Sequence, residues 1–280
     1  MKITNNYNLP EVIVNAASKA YKPKEGRLSA TTLVAPPLIR ALTVEFWDTL
    51  TADVSDKLWM ILGSAVHYVF EGNAPDNSLT EEKLEIPFLF GLTIVSKSDL
   101  LNNGIIDDYK VTSVWSFILG EKPEWICQLN INAWCYRKLG FEVTGLRIQA
   151  ILRDWKRREA LQNDDYPQIP FQTIKVPLWT FEEQERYITE RVKLFLIEPK
   201  ECTPKEKWSK PDVWAVKKAG NKTARGGKLC YSKAEADNFI ASNPAKKWDV
   251  EFRKGECLRC KEYCNVRTVC KFNIYKDEMI

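Results

Sequence analysis

Apolar and polar positions recur with different periods along this chain, and the period predicts its elements. From residue 58 the apolar side chains Leu58, Ile61, Leu62, Ala65, Val66 and Val69 follow helical spacing, predicting a helix to residue 71 that Ser55 or Asp56 starts. Runs with strand character follow at 83–90, 92–99 and 104–112, the last two joined through Asn102, Asn103 and Gly104 as a hairpin. Pro123 opens and Gly140 closes a second helix over 124–139. Further strands are expected at 141–152 and 171–178, and Thr180 with Glu183 forms a capping box for a helix ending before Pro199. Upstream, the polar stretch 1–28 predicts a short helix or arm with a loose connection. Ser29 to Thr32 caps a helix running through Pro36 and Pro37 to Leu42. Beyond residue 201, short strands at 213–216, 227–231 and 248–253 and a helix opened by Ser232 and Glu235 lead into a cluster of cysteines.

Composition adds bounds to that pattern. A chain of 280 residues with 45% hydrophobic content can build a large core. No run of 18 apolar residues occurs, and the first residues lack the basic-then-apolar order of a signal peptide, so a cytoplasmic protein is expected. The net charge of +4 is unevenly placed: residues 201–280 hold 18 lysines and arginines against 11 acids, the rest 23 against 26. A basic carboxyl-terminal part suits a polyanion such as DNA, and equally a solvated lysine-rich surface. Arg153, Lys156, Arg157 and Arg158, in the polar segment 153–168, are candidate contacts to a nucleic-acid backbone.

The chemistry centres on Asp107, Asp108, Tyr109 and Lys110. In an extended strand Asp108 and Lys110 share one face and Asp107 takes the other. A carboxylate can hold Mg²⁺, whose bound water becomes a nucleophile, and a neighbouring ammonium stabilises the anionic oxygen. His67, the one histidine in the sequence, lies a helical turn from Glu71. The hairpin brings Asp99 toward Asp108.

Gly63, His67 and Glu71 at four-residue spacing, then Asp99, then Asp108-x-Lys110, then Gln128 on the next helix, resemble the PD-(D/E)xK nuclease superfamily, and within it the RecB-like exonucleases of phages and prophages. The resemblance implies a restriction-endonuclease-like α/β fold, a mixed central β-sheet flanked by helices. It places a nuclease core with a helical amino-terminal part at 1–200 and a small, basic α+β subdomain with the cysteines at 201–280. It implies that His67, Asp99, Asp108 and the Tyr109 carbonyl hold Mg²⁺ or Mn²⁺. Lys110 then stabilises the attacking hydroxide, Gln128 positions it and Glu71 supports the metal. Two departures are visible: serine and lysine stand where the family has a glycine before Asp99, and Asn132 occupies the position of a tyrosine after Gln128.

Eight cysteines in a reducing compartment argue against a disulfide framework. Cys127 and Cys135 read as core thiols. Cys257, Cys260, Cys264 and Cys270 fall within 14 residues, a spacing that can close around a metal. By resemblance to the iron–sulfur members of the superfamily the ligand set is Cys202, Cys260, Cys264 and Cys270 around a structural 4Fe-4S cluster. A local zinc site using Cys257 is the competing choice, and the terminal spacing of x3 then x5, where those relatives have x2 then x5, departs from the pattern. The function implied is metal-dependent DNA exonuclease activity in phage or prophage recombination, with a single-strand annealing protein as a potential partner. A non-catalytic DNA-binding accessory protein with the same fold is the alternative.

Overall fold

The computed structural model describes residues 1–18, 21–118, 120, 122–224 and 227–276. The chain divides into two units, Met1–Lys200 and Glu201–Ile280. The first begins with β1 (Lys2–Thr4), α1 (Glu11–Ala17), β2 (Arg27–Ser29), α2 (Ala30–Val34), α3 (Pro37–Glu45), β3 (Thr51–Asp53) and α4 (Leu58–Glu71). It continues through β4 (Leu79–Thr80), β5 (Lys83–Pro87), β6 (Thr93–Lys97), β7 (Leu100–Asn102), β8 (Ile105–Thr112), α5 (Trp115–Ile118) and α6 (Pro123–Lys138). It ends with β9 (Gly145–Leu152), α7 (Arg157–Ala160), β10 (Phe171–Val176) and α8 (Phe181–Leu196).

Helix α6 sits at the centre of this unit. Leu129, Ala133 and Tyr136 pack on a five-stranded sheet through Ile106, Leu146 and Ile148. Ile131, Trp134 and Cys135 pack instead against Ile86 and Ile94 of a three-stranded sheet and against Leu33 of α2 and Ile188 of α8. A helix apolar on both sides must be enclosed. Of its enclosed asparagines, Asn130 donates to the carbonyls of Ile126 and Pro177 at 2.9 Å, and Asn132 accepts from Ser96 at 2.8 Å through Oδ1 while its Nδ2 is buried without a partner among the described residues.

The five-stranded sheet has the order β10-β9-β8-β7-β4 and the three-stranded one β2-β6-β5. In the larger sheet β8 runs parallel to β9 while the β9–β10 and β7–β8 pairs are antiparallel, giving the expected mixed sheet flanked by helices. The β7–β8 turn holds Asn103 and Gly104 at φ of 48° and 76°, as a two-residue hairpin loop requires.

Several expectations need correction. Strand character ends at Lys97, and the chain then changes sheet, so Asp99 lies in the joint between β6 and β7 instead of ending a strand. The helix expected through Pro36 and Pro37 is two helices, because the residue before a proline is pushed to extended geometry: Ala35 has ψ 158°. The strand expected over 83–90 stops at Pro87 and turns at Phe90, φ 61°. Residues 1–28 are tied in as well as helical, since β1 pairs with β3 and β2 with β6. The strand expected from 141 starts at Gly145.

The second unit contains β11 (Val213–Lys218), β12 (Lys228–Cys230), α9 (Lys233–Ala241) and β13 (Trp248–Arg253). Its antiparallel sheet, ordered β12-β11-β13, packs Val216 and Cys230 with Ala236 of α9. The cysteine loop folds back on the segment after Cys202: Arg259 donates to the Glu206 carbonyl at 2.8 Å and lies 4.2 Å from the Trp208 ring centre.

Candidate functional site

The site forms where one strand outlasts its neighbour. β7 pairs with β8 only from Ile105 to Asp107, so beyond that point the backbone of β8 is open on that edge, while β9 covers the other edge as far as Thr112. Unpaired backbone groups need partners. The Tyr109 N–H donates to Asp99 Oδ2 at 2.5 Å, and the Tyr109 carbonyl lies 3.1 Å from His67 Nε2 on α4. The Tyr109 ring, edge-on to His67 and Phe70 at 5.8 and 4.8 Å, holds α4 against the strand.

The other imidazole nitrogen, Nδ1, lies 3.1 Å from Asp99 Oδ1 and 3.6 Å from Glu81 Oε1. One donor atom each from His67, Glu81 and Asp99 falls within 4.8 Å of the others. Two carboxylates and an imidazole suit Mg²⁺ or Mn²⁺. Without a cation the repelling acids are partly compensated by protons and amines. The hydrogen bond to Asp99 raises the His67 pKa, and Lys97, paired with Glu81, is likewise held protonated.

Asp108 lies on the opposite face of β8 from Asp107. Burial pushes its carboxyl up to about 6, against the pull of Lys110. Gln128 of α6 donates to Oδ1 at 3.2 Å, and the Lys110 ammonium pairs with the buried Oδ2. Asp107 meets Arg147 directly across the strand pair, at 2.7 and 2.6 Å, and Gln149 at 2.8 Å.

The structure thus places Asp99 at one imidazole nitrogen of His67 and the Tyr109 carbonyl at the other, and pairs Asp108 with Lys110 and Gln128 on the neighbouring stretch of β8. Glu71 lines the same groove along α4, but the third close donor is Glu81, which the sequence reading missed. Glu81 stands outside any periodic run, at φ 53° between β4 and β5, and its N–H donates to the Asp99 carbonyl at 3.3 Å. No local signal marks it. The groove, 490 Å³, has Gly63, His67, Tyr68 and Glu71 on one wall and Glu81 and Lys97 on the other. Arg153 is exposed and stacks 4.3 Å from the Trp59 ring centre, and Lys156, Arg157 and Arg158 are exposed at the start of α7.

In the second unit Cys202, Cys257, Cys260, Cys264 and Cys270 are half-buried free thiols. Burial pushes Cys202 up to about 12, and Cys264, Cys260 and Cys270 add to the shift, which places these thiols within electrostatic reach of one another. Among the described residues no three cysteine sulfurs lie within 4.8 Å of one another. Cys257 Sγ instead sits 3.2 Å from the Ser209 hydroxyl.

No known family matches the sequence, and no curated protein does. Among solved structures, SSO0001 is similar with a TM-score of 0.41 and 19% identity, over 65% of this chain and 81% of that one. An alkaline exonuclease, LHK-Exo from Laribacter hongkongensis, gives 0.40 and 13% over 61% and 88%. The same exonuclease in complex with dAMP gives 0.39 and 15% over 61% and 86%. Likeness at this level leaves the chemistry to be argued from the side chains.

Proposed function

We propose that this protein is a divalent-metal-dependent deoxyribonuclease that hydrolyses phosphodiester bonds from an end of linear DNA. The observation that carries the reading is the convergence of His67, Glu81 and Asp99 within 4.8 Å, beside a buried Asp108 paired with Lys110. His67, Asp99, Glu81, Asp108 and the Tyr109 carbonyl would hold Mg²⁺ or Mn²⁺. A bound cation would supply Lewis-acid charge for the phosphate and a water of lowered pKa.

The chain's own groups divide the remaining work. Lys110, held beside Asp108 by their ion pair, would place its ammonium to stabilise the anionic oxygen of the attacking water. Gln128 holds Asp108 in place through Oδ1. Asp99 is fixed by the Tyr109 N–H, so its second oxygen is aimed at His67 and the cation position. Lys97 keeps Glu81 from drifting into solvent.

Incubating the purified protein with end-labelled linear and circular DNA, with Mg²⁺ or with chelator, tests this reading. Mg²⁺-dependent release of nucleotides from the linear substrate alone is expected. Binding without any release would leave a DNA-binding accessory protein.

For the second unit we propose that Cys202, Cys260, Cys264 and Cys270 hold a structural 4Fe-4S cluster. Thiolates on a single tetrahedral zinc lie about 3.8 Å apart, given Zn–S bonds of about 2.3 Å. The choice rests on the resemblance that pairs one upstream cysteine with three near the carboxyl end, and hydrolysis needs no redox step. A brown protein with about four irons per chain is expected; a colourless one with one zinc would overturn the choice.

A further inference from the structure

Apart from the candidate metal centre, the first unit carries a cleft of 730 Å³ whose walls come from three parts of the chain. α3 supplies Pro37, Arg40, Ala41 and Val44, which helical spacing puts on one face. The segment before β2 supplies Lys22 and Glu25, and the end of α8 with the residues after it supplies Leu194, Leu196 and Ile197. Val44 is 44% exposed and Ile197 54%. Apolar walls left open to solvent around a few polar groups are the composition of a binding cleft.

The polar groups say what kind of occupant fits. Arg40 is half-buried among those walls, and of the five N–H donors of a guanidinium it uses one among the described residues, from Nη2 to the Lys24 carbonyl at 2.9 Å. Glu25 and Glu45 line the same cleft from exposed positions, yet no ion pair joins either of them to Arg40. Lys22, also exposed, has Asp48 at 3.9 Å. Burial lowers the Arg40 pKa, as befits a cation taken from water without a counter-charge. The charges therefore fall into two zones, a guanidinium amid apolar side chains and carboxylates at the exposed margin. A complementary occupant carries a carboxylate next to apolar groups, with positive charge behind them. The end of a polypeptide has that order, because its terminal carboxylate adjoins its last side chain and basic residues can precede it. A free apolar acid offers the carboxylate but nothing for Glu25 and Glu45.

We propose that this cleft docks the carboxyl-terminal end of a partner protein whose last residues are apolar and follow lysine or arginine, with the terminal carboxylate on Arg40. Val44, Leu194 and Ile197 receive the apolar side chains, and Glu25 and Glu45 meet the basic ones. The inference uses no part of the metal site, so it stands or falls separately from the nuclease reading.

The test is fluorescence anisotropy of the full chain with a set of short labelled peptides. In each, lysines precede positions varied among leucine, isoleucine, valine and phenylalanine, and each is made with a free terminal carboxylate and as the carboxamide. Saturable binding of a free-acid peptide is expected, roughly tenfold to a hundredfold tighter than its amide, the range of a hydrogen bond to a charged group. Arg40→Gln brings acid and amide to the same affinity. Ile197→Asp, at an exposed position, weakens both and leaves their ratio in place. Exchanging the peptide's lysines for glutamates weakens binding by about twofold to fivefold at low salt, an effect that Glu25→Gln with Glu45→Gln cancels. The comparison of acid with amide needs no variant, so it decides even if Arg40→Gln is destabilised. No saturable binding by any peptide, equal affinity of acid and amide, or a preference that survives Arg40→Gln overturns the proposal. Displacement of the peptides by octanoate, together with indifference to their lysines, overturns it in favour of a small apolar acid.

Discussion

Asp107 and Asp108 are adjacent, both nearly inaccessible to solvent, and have opposite surroundings. Asp107 receives a bidentate guanidinium and an amide in fixed positions. Asp108 has a single amide, at 3.2 Å from Oδ1, and a single ammonium, on Oδ2. The first carboxylate is saturated and contributes to holding β8 on β9. The second retains unfilled coordination capacity next to His67 and Asp99, and that shortfall is what a cation would fill. Burial is the same for both, so it is the supply of donors that distinguishes an acid that builds from an acid that reacts.

The largest effect expected from this contrast is on catalysis. Asp108→Ala or Lys110→Ala should lower Mg²⁺-dependent nucleotide release by about a thousandfold or more, with little change in unfolding temperature. Parental rates in either variant would end the mechanism. Asp107→Ala should do the reverse, destabilising the fold by about 2–3 kcal/mol in urea titrations while the folded fraction keeps its turnover. That cost sits below the fully buried case because Arg147 keeps contact with water.

A smaller effect separates the acids by pH. The Asp108 carboxyl titrates near 3.8 when unfolded and about 6 when folded, so its burial penalty is absent below pH 4 and fully present above about 6. In chelator, Asp108→Asn should therefore stabilise the protein by about 3 kcal/mol at pH 8 and by nothing measurable at pH 4. A gain that persists at low pH would place the cause in packing. The smallest change expected is for Glu81→Gln: about a tenfold weakening of the Mn²⁺-induced rise in melting midpoint, read from the Mn²⁺ concentration required. If Glu81→Gln leaves that concentration unchanged, Glu81 is not a ligand.

How far the sequence reveals these features depends on the length of each signal. α4, β8 and α6 are long enough for their periods to show, and the two-residue spacing that puts Asp108 and Lys110 on one face is a property of any strand. Gln128 follows from its turn on α6. Asn132 and Tyr136, one and two turns further along α6, are enclosed in the core, where burial pushes the Tyr136 hydroxyl up to about 12. Strands of three residues such as β1 and β3 carry too few positions to display alternation. The change of sheet between Lys97 and Leu100 is a tertiary event, invisible in a continuous apolar run. Glu81 reaches the site through that joint, and only the folded chain shows that Asp99 has a second acid beside it.

The hairpin turn at Asn103 and Gly104 acts as an odd-or-even counter for everything downstream. A side chain at Gly104 would meet Thr144 at 2.9 Å, so the turn leaves no room for one there. One inserted residue that moved β8 along β7 by a single step would present Asp107 and Tyr109 where Asp108 and Lys110 now stand, and a second would return Asp108 to its own face but in the place of Lys110, with Ile106 in the place of Asp108. Any insertion that shifts the register, by one step or by two, should therefore take Asp108 and Lys110 away from Asp99 and His67.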